Sequence, residues 1–383
     1  MRTKTVGVLA GITLVVILVA VWQSWQDETS LPEAGSRLFP ELMDQLNDVT
    51  TIVITTQGGT ITVAREGDRW IVKEKNAYPA DLGKVRETLI GLAELAILEP
   101  KTKNPDLYPK LGLQDVHAED SLSTKVELRK GDTVLATVIL GNQRPARGDS
   151  TKDEIYVRRP DDPQTWLVVG HLEVDRNATE WLDKKILDIE TQRIQRVRVT
   201  HPDGTTLTLE KAKPDELDFK LVDMPSTAKL RSQFAVNNVV STLSGLTLDD
   251  VRPAQDVSVA QPVTRAVLET RDGLEVTVKL WRKEGTPYVT VQAAFNPALV
   301  ASDNQKSEEK AQESSSSQQE ASSAEADAGQ EAEKPTALKS PEAVQAEVQA
   351  LNERVSEWVY QIATFKADAI LKKPEDLLEP ADS

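Results

Sequence analysis

Three histidines, two adjacent acidic pairs and two tyrosine–proline motifs are the residues of this chain whose types and spacing invite chemistry. His117, His171 and His201 are the only histidines, and none lies two or four positions from another, as paired metal ligands on one strand or helix face would. Each stands beside turn-forming or charged residues and reads as a loop or surface side chain. Asp161-Asp162 and Asp249-Asp250 offer the carboxylates that acid–base work or cation binding needs. Neighbouring side chains on a strand point to opposite faces, however, and the first pair lies within Arg158-Arg159-Pro160-Asp161-Asp162-Pro163, a hairpin-turn sequence. No Gly-x-Ser-x-Gly, His-Glu-x-x-His, glycine-rich phosphate loop or EF-hand spacing occurs. The expectation is a protein that is not an enzyme, with no catalytic residue, no cofactor and no metal.

The two tyrosine–proline motifs read first as structure. In Tyr78-Pro79-Ala80-Asp81 the proline forces Tyr78 into an extended conformation, and Asp81 offers its carboxylate to the free N–H groups of the helix it begins. In Leu107-Tyr108-Pro109-Lys110-Leu111-Gly112-Leu113 the aromatic and the leucines are expected to cover the end of that helix, with Gly112 permitting a tight turn. Both stretches are also candidate interaction loops, through Tyr78, Pro79, Asp81, Tyr108, Leu111 and Leu113.

The elements that position these residues come in two sets. Val49 to Ile54, a Gly58-Gly59 turn and Thr60 to Val63 alternate as a β-hairpin. Ile194, Val197 and Val199, a Pro202-Asp203-Gly204 turn, then Leu207 and Leu209 do the same. A short aromatic strand follows in each set, Arg69 to Val72 and Asp218 to Val222, and then a helix. Leu89-Ile90-Gly91-Leu92 in the first helix matches Leu243-Ser244-Gly245-Leu246 in the second. A meander continues the match, from Val126 to Leu140 and from Val267 to Leu280, and Ile155-Tyr156-Val157 answers to Tyr288 to Val291. Finally Glu180-Trp181-Leu182 with Lys184 to Leu187 resembles Glu357-Trp358-Val359 with Ala369 to Leu371. Ser340-Pro341 reads as a helix N-cap with proline at the first position, and Val344, Val348, Leu351, Val355 and Trp358 mark an apolar stripe, expected to pack on its own domain's sheet rather than on a coiled-coil partner helix.

Composition sets the compartment. Val6 to Trp22 carries no charge over 17 residues, which at about 1.5 Å per residue is enough to span a bilayer with little tilt. Arg2 and Lys4 precede it while Asp27, Glu28 and Glu33 follow, so the N-terminus is expected in the cytoplasm and the bulk of the chain in the periplasm. Bulky Trp22 beyond Ala20 makes a poor cleavage site, so an uncleaved anchor is read rather than a signal peptide. The net charge of −16 argues against nucleic acid as a partner and implies that any small ligand is cationic or neutral. Cysteine is absent, which removes disulfides and thiolate metal sites.

Tyr-Pro-Ala-Asp before a leucine-patterned helix, then Leu-Tyr-Pro-Lys-Leu-Gly-Leu, then Glu-Trp-Leu-Asp-Lys-Lys-Ile-Leu-Asp, resembles the bacterial domain-of-unknown-function family numbered four-three-four-zero, from about Leu38 to Leu378. The second set departs from the pattern, since no Tyr-Pro-Ala-Asp survives there. The resemblance implies single-span envelope proteins, some encoded beside ABC-transporter components of the gliding-motility auxiliary type, and it carries no catalytic residues.

The chain is thus expected to be α+β, an N-terminal single transmembrane helix followed by two tandem repeats of antiparallel sheet packed with helices. Residues 1–26 would form a cytoplasmic tip and anchor, 27–48 a linker with a short helix, and 49–190 the first repeat. Residues 191–301 with 336–379 would form the second, interrupted at 302–335 by an acidic Ser/Gln/Glu/Ala insertion too polar to bury a core. In function, the expectation is an inner-membrane accessory or scaffold protein. Its partners would be the bilayer, through the N-terminal helix, and an inner-membrane protein, ABC-transporter subunits among the candidates. The alternative is a periplasmic binding module for a peptide or envelope polymer, using the cleft between the repeats.

Overall fold

The computed structural model describes residues 34–300 and 338–379, apart from Gly148, Ala212, Pro214, Asp215, Asp223, Pro225 and Ser226. The expected anchor, Val6 to Trp22, and the expected insertion, 302–335, lie outside the described residues. No helix among the described residues is long and apolar enough to cross a membrane. The chain divides into two compact units, Met1–Leu182 and Asp183–Ser383.

In the first unit a short helix α1 (Leu42–Gln45) precedes a hairpin of β1 (Thr51–Thr56) and β2 (Gly59–Glu66), then β3 (Arg69–Val72) and the two-residue β4 (Tyr78–Pro79). Helix α2 (Leu82–Glu94) leads to β5 (Ala96–Pro100), and α3 (Tyr108–Leu111) leads to a meander of β6 (Thr124–Lys130), β7 (Thr133–Ala146), β8 (Asp149–Arg158) and β9 (Thr165–Gly170). These form one antiparallel sheet ordered β4-β3-β2-β1-β6-β7-β8-β9-β5. Alternation decides which face is core: Ile52, Ile54, Ile61, Val63, Val126, Leu128 and Val138 are all buried, and they meet Val85, Leu89 and Leu92 of α2.

The second unit has β10 (Ile194–Thr200), β11 (Thr206–Glu210), β12 (Lys220–Leu221), α4 (Gln233–Ser244) and β13 (Asp250–Pro253). After them come β14 (Thr264–Thr270), β15 (Leu274–Lys283), β16 (Thr286–Phe295), α5 (Pro341–Val355), β17 (Trp358–Gln361), α6 (Thr364–Ile370) and α7 (Pro374–Leu377). Its antiparallel sheet runs β12-β11-β10-β14-β15-β16-β17-β13, the first sheet's order strand for strand once β4 is set aside. Helix α4 buries Val236, Val239, Val240 and Leu243 against the face carrying Val197, Val199, Leu207, Leu209, Leu268, Val276 and Val278.

Two sequence correspondences need correction. Trp358 opens β17, where it faces Pro253 of β13; in the first unit Pro100 of β5 faces Trp166 of β9. Trp358 therefore answers to Trp166, and not to Trp181, which closes a 3-10 turn at Ala178–Trp181. Leu182 makes an isolated bridge with Ala80, and in the second unit Leu378 bridges Leu230. Thus Asp376-Leu377-Leu378 occupies the place read for Glu357-Trp358-Val359, with Leu377 and Trp181 both fully buried. The division also falls eight residues before the boundary read at Glu190. The cause is local: Ile186, Leu187 and Ile189 donate their N–H groups to Leu246 and Ser244 at the end of α4. Leu38 does the same to Leu95 in the first unit, so residues 35–38 there form part of the fold rather than a linker.

Helix α5 has no counterpart between β8 and β9, which only a turn connects. Ser340 caps it by accepting from the Ala343 N–H at 3.3 Å, with Pro341 at the first position. Strands β8 and β9 pair along six positions, whereas β16 and β17 pair only at Tyr288 and Val289. Beyond that point Asn352 of α5 takes over the strand edge. The Ala293 N–H donates to its Oδ1 at 2.8 Å, and its Nδ2 donates back to the Ala293 carbonyl at 2.9 Å. An otherwise open sheet edge is thereby closed by a side chain.

Candidate functional site

The six loop residues singled out from sequence fall in two places, with four strands of the sheet between β4 and β7. Tyr78 is buried on β4 and Pro79 half-buried. Asp81 is exposed and caps α2, accepting from the N–H groups of Gly83 at 2.8 Å and Lys84 at 3.1 Å. Tyr108 and Leu113 pack on Ile139 with Leu111 and Tyr156 alongside. They cover the second face of the sheet over β7 and β8, and not the end of the helix. The Tyr108 hydroxyl donates to the Pro163 carbonyl at 2.7 Å, and the Arg158 guanidinium lies 4.8 Å from its ring. Gly112 ends α3 with φ +68°, and a Cβ on Gly141 would stand 2.3 Å from the Leu111 carbonyl, so both glycines are required for the loop to lie this close to β7.

The acidic pairs are turn and strand residues. Asp162 accepts from the Gln164 N–H at 2.8 Å in the β8–β9 turn, and Asp250 opens β13. Of the histidines, His117 and His171 are exposed. His201 is buried, with Nε2 3.2 Å from the Lys372 carbonyl, as a tie between a turn and the C-terminal segment. Among the described residues no group of three or more His, Asp or Glu side chains is arranged to hold a metal ion.

The most heavily charged cluster is a fastening. Arg193 donates to Asp272 through Nε at 2.8 Å and Nη2 at 3.2 Å, and to Glu347 of α5 through Nη1 at 2.9 Å and Nη2 at 2.8 Å. Thr270 and the Lys339 N–H also donate to Asp272, and the Lys339 ammonium stands 3.0 Å from Glu347. The Arg193 and Asp272 side chains are 3% and 0% exposed, so this double fork sits out of water, where such pairs are strongest and least forgiving. Burial pushes both carboxyls up, but the bonds from Arg193 outweigh it and hold both below the usual range. The cluster clamps α5 to the β14–β15 turn.

What remains open is part of the outer face of the second sheet, the face opposite the one that carries Val197, Val199 and Leu268. Register places Thr200 of β10 opposite Arg265 of β14, Arg265 opposite Lys279 of β15, and Lys279 opposite Thr290 of β16. Arg198 lies two residues before Thr200 on β10, on the same face. Where β16 parts from β17, a groove of about 290 Å³ opens beside α5, lined by Thr277, Lys279, Thr290, Gln292, Asn352 and Ser356 around Val291. Six of its seven lining residues are polar and none is acidic. Sequence reading missed this face because no single strand displays it. Its signal is the exposed phase of three strands, and only the pairing register shows that those phases meet.

A family model described as a domain of unknown function (DUF4340) matches residues 70–263. This chain belongs to that family. The match runs from β3 of the first unit to the residue before β14 in the second, across the boundary between them, rather than as one match per unit. No curated protein and no solved structure matches the chain.

Proposed function

We propose that this is a non-enzymatic accessory or scaffold protein of the bacterial inner membrane, anchored through Val6 to Trp22, with its bulk in the periplasm and serving an ABC-type transport or cell-envelope system. Its two units are read as tandem repeats of one fold, on the strength of their matching strand order. The observation that carries the reading is how the buried charges are used. Arg193, Asp272 and Glu347 saturate one another, and Arg158 donates to the Leu113 and Pro160 carbonyls. Such groups fix architecture and supply no free acid, base or nucleophile. Charge asymmetry around the apolar N-terminal segment supports the topology, and the family resemblance supplies the transport setting.

The test is photo-crosslinking in living cells, with the probe placed singly at the exposed apolar positions Ile90, Phe234 and Phe365. The expected result is an adduct with one membrane or envelope protein from at least one position. Adducts from none of the three would overturn the scaffold reading.

A second reading, a binding module for an envelope polymer or peptide, is favoured by one observation: the polar groove on the outer face of the second sheet.

A further inference from the structure

Arg265 and Lys279 face each other directly across β14 and β15, which sets their Cβ atoms about 5 Å apart, and like charges so placed destabilise a sheet. Arg198, Arg265 and Lys279 are exposed, and none of them makes an ion pair among the described residues. Arg265 makes one hydrogen bond, from Nη2 to the Thr277 hydroxyl at 3.3 Å. Further along the same face Glu269 and Glu275 are also opposed, but there the charge is answered: Arg196 lies 3.0 Å from Glu269, and Asn296 donates to Glu275 at 3.0 Å. The protein thus gives its opposed acids an ion pair and an amide hydrogen bond and leaves its opposed bases without a counter-charge among the described residues, in a chain of net charge −16.

The first unit sharpens the point. Its sheet has the same register here, with Thr55 opposite Lys125 and Lys125 opposite Ile139. Where the second unit carries exposed Lys279, the first carries buried Ile139, covered by the loop of Tyr108 and Leu113. The equivalent loop of the second unit, with Ala254, Val257 and Ala260, instead covers Trp281 and Tyr288 further along the strands. The fold therefore does not need a cation at this position, and the second unit leaves the row uncovered.

We propose that this face is a binding site for an acidic polysaccharide. The inference rests on the binding-module reading and gives it a ligand class. The cations lie on three successive strands, roughly 10 Å from first to last, which suits a ligand charged at intervals along its length. Hydroxyls and an amide outnumber them, at Thr200, Thr206, Thr208, Thr290 and Gln292, and match sugar hydroxyls better than the bare oxyanions of a polyphosphate. Trp281 and Tyr288 on this face are buried, so it offers no exposed stacking platform of the kind single-stranded nucleic acid uses. Net charge implies a cationic or neutral ligand, but screening confines each charge to about 10 Å at moderate salt, so Arg198, Arg265 and Lys279 act locally whatever the sign of the whole chain.

The experiment is titration of the detergent-solubilised full chain with an oligogalacturonate, a neutral maltooligosaccharide of equal length, and polyphosphate. Oligogalacturonate should bind at least about tenfold tighter than the neutral sugar and than polyphosphate, and lose affinity as salt rises. Lys279→Glu and Arg198→Glu should each weaken it about tenfold or more while the melting temperature holds or, for Lys279→Glu, rises. Equal binding of the neutral sugar overturns the acidic-ligand proposal and leaves the binding-module reading standing. Equal binding of polyphosphate, or unchanged affinity in both variants, also overturns it. Binding of none of the three overturns the proposal and leaves a peptide as the ligand of the binding-module reading.

Discussion

Arg193 joins two carboxylates from separate elements of the second unit, Asp272 of the β14–β15 turn and Glu347 of α5. Replacing the arginine with methionine would leave Asp272 buried without a counter-charge and Glu347 with Lys339 alone, and breaking one partner of such a cluster costs about 3–5 kcal/mol. Urea unfolding of Arg193→Met against the parent checks this through the midpoint at unchanged slope. The pH dependence follows with a definite sign. Both carboxyls are held below their ordinary values when folded, so their contribution is present above the unfolded carboxyl pKa of about 4 and is lost as pH falls through the lower folded values. Thermal melts from pH 6 down to pH 2 should therefore show the parent losing stability more steeply below about pH 4 than the variant does. Parallel curves would remove the clamp from the account.

At the scale of elements, two glycines that match in sequence should behave differently. Gly91 and Gly245 occupy the same place in Leu-Ile-Gly-Leu and Leu-Ser-Gly-Leu. A Cβ on Gly91 would stand 2.5 Å from the His171 carbonyl, whereas one on Gly245 meets only the Ser241 carbonyl at 3.4 Å. Gly91→Ala, ordinarily a gain of about 0.5–1 kcal/mol inside a helix, should instead cost about 1–3 kcal/mol by overpacking. Gly245→Ala should stay within about 1 kcal/mol of the parent. Chemical denaturation of the two variants decides between local propensity and close approach.

The same scale shows what a sequence can reveal. Both hairpins, the Asp81 and Ser340 caps and the two meanders were legible, because alternation, turn residues and capping residues act within a few positions. The closing segments were not. Trp358 resembles Trp181 in its neighbours, yet its strand is fixed by Pro253, about a hundred positions earlier, and that pairing is long-range information. The Lys184–Ile189 segment failed for the same reason, since its partners are Ser244 to Leu248. The basic row on the outer face depends on the register of three strands, and overall acidity pointed the wrong way.

For the whole molecule, the proposed function rests on a membrane tether at Val6 to Trp22, outside the described residues, and on two sheet units offered as surfaces. Holding such a body in the membrane plane raises its effective concentration near membrane partners, and removing the tether forfeits that gain without any loss of contact. The second unit carries a clamped helix α5 and, on its outer sheet face, an uncovered basic row; the first unit closes the corresponding position with Tyr108 and Leu113. The most direct measurement is affinity purification from solubilised membranes of the full chain beside a chain beginning at Leu31. The account predicts one envelope or transporter protein enriched with the full chain, and a shortened chain with the same melting behaviour that recovers little of it. Recovery of the full chain alone, or equal enrichment by both chains, would contradict it.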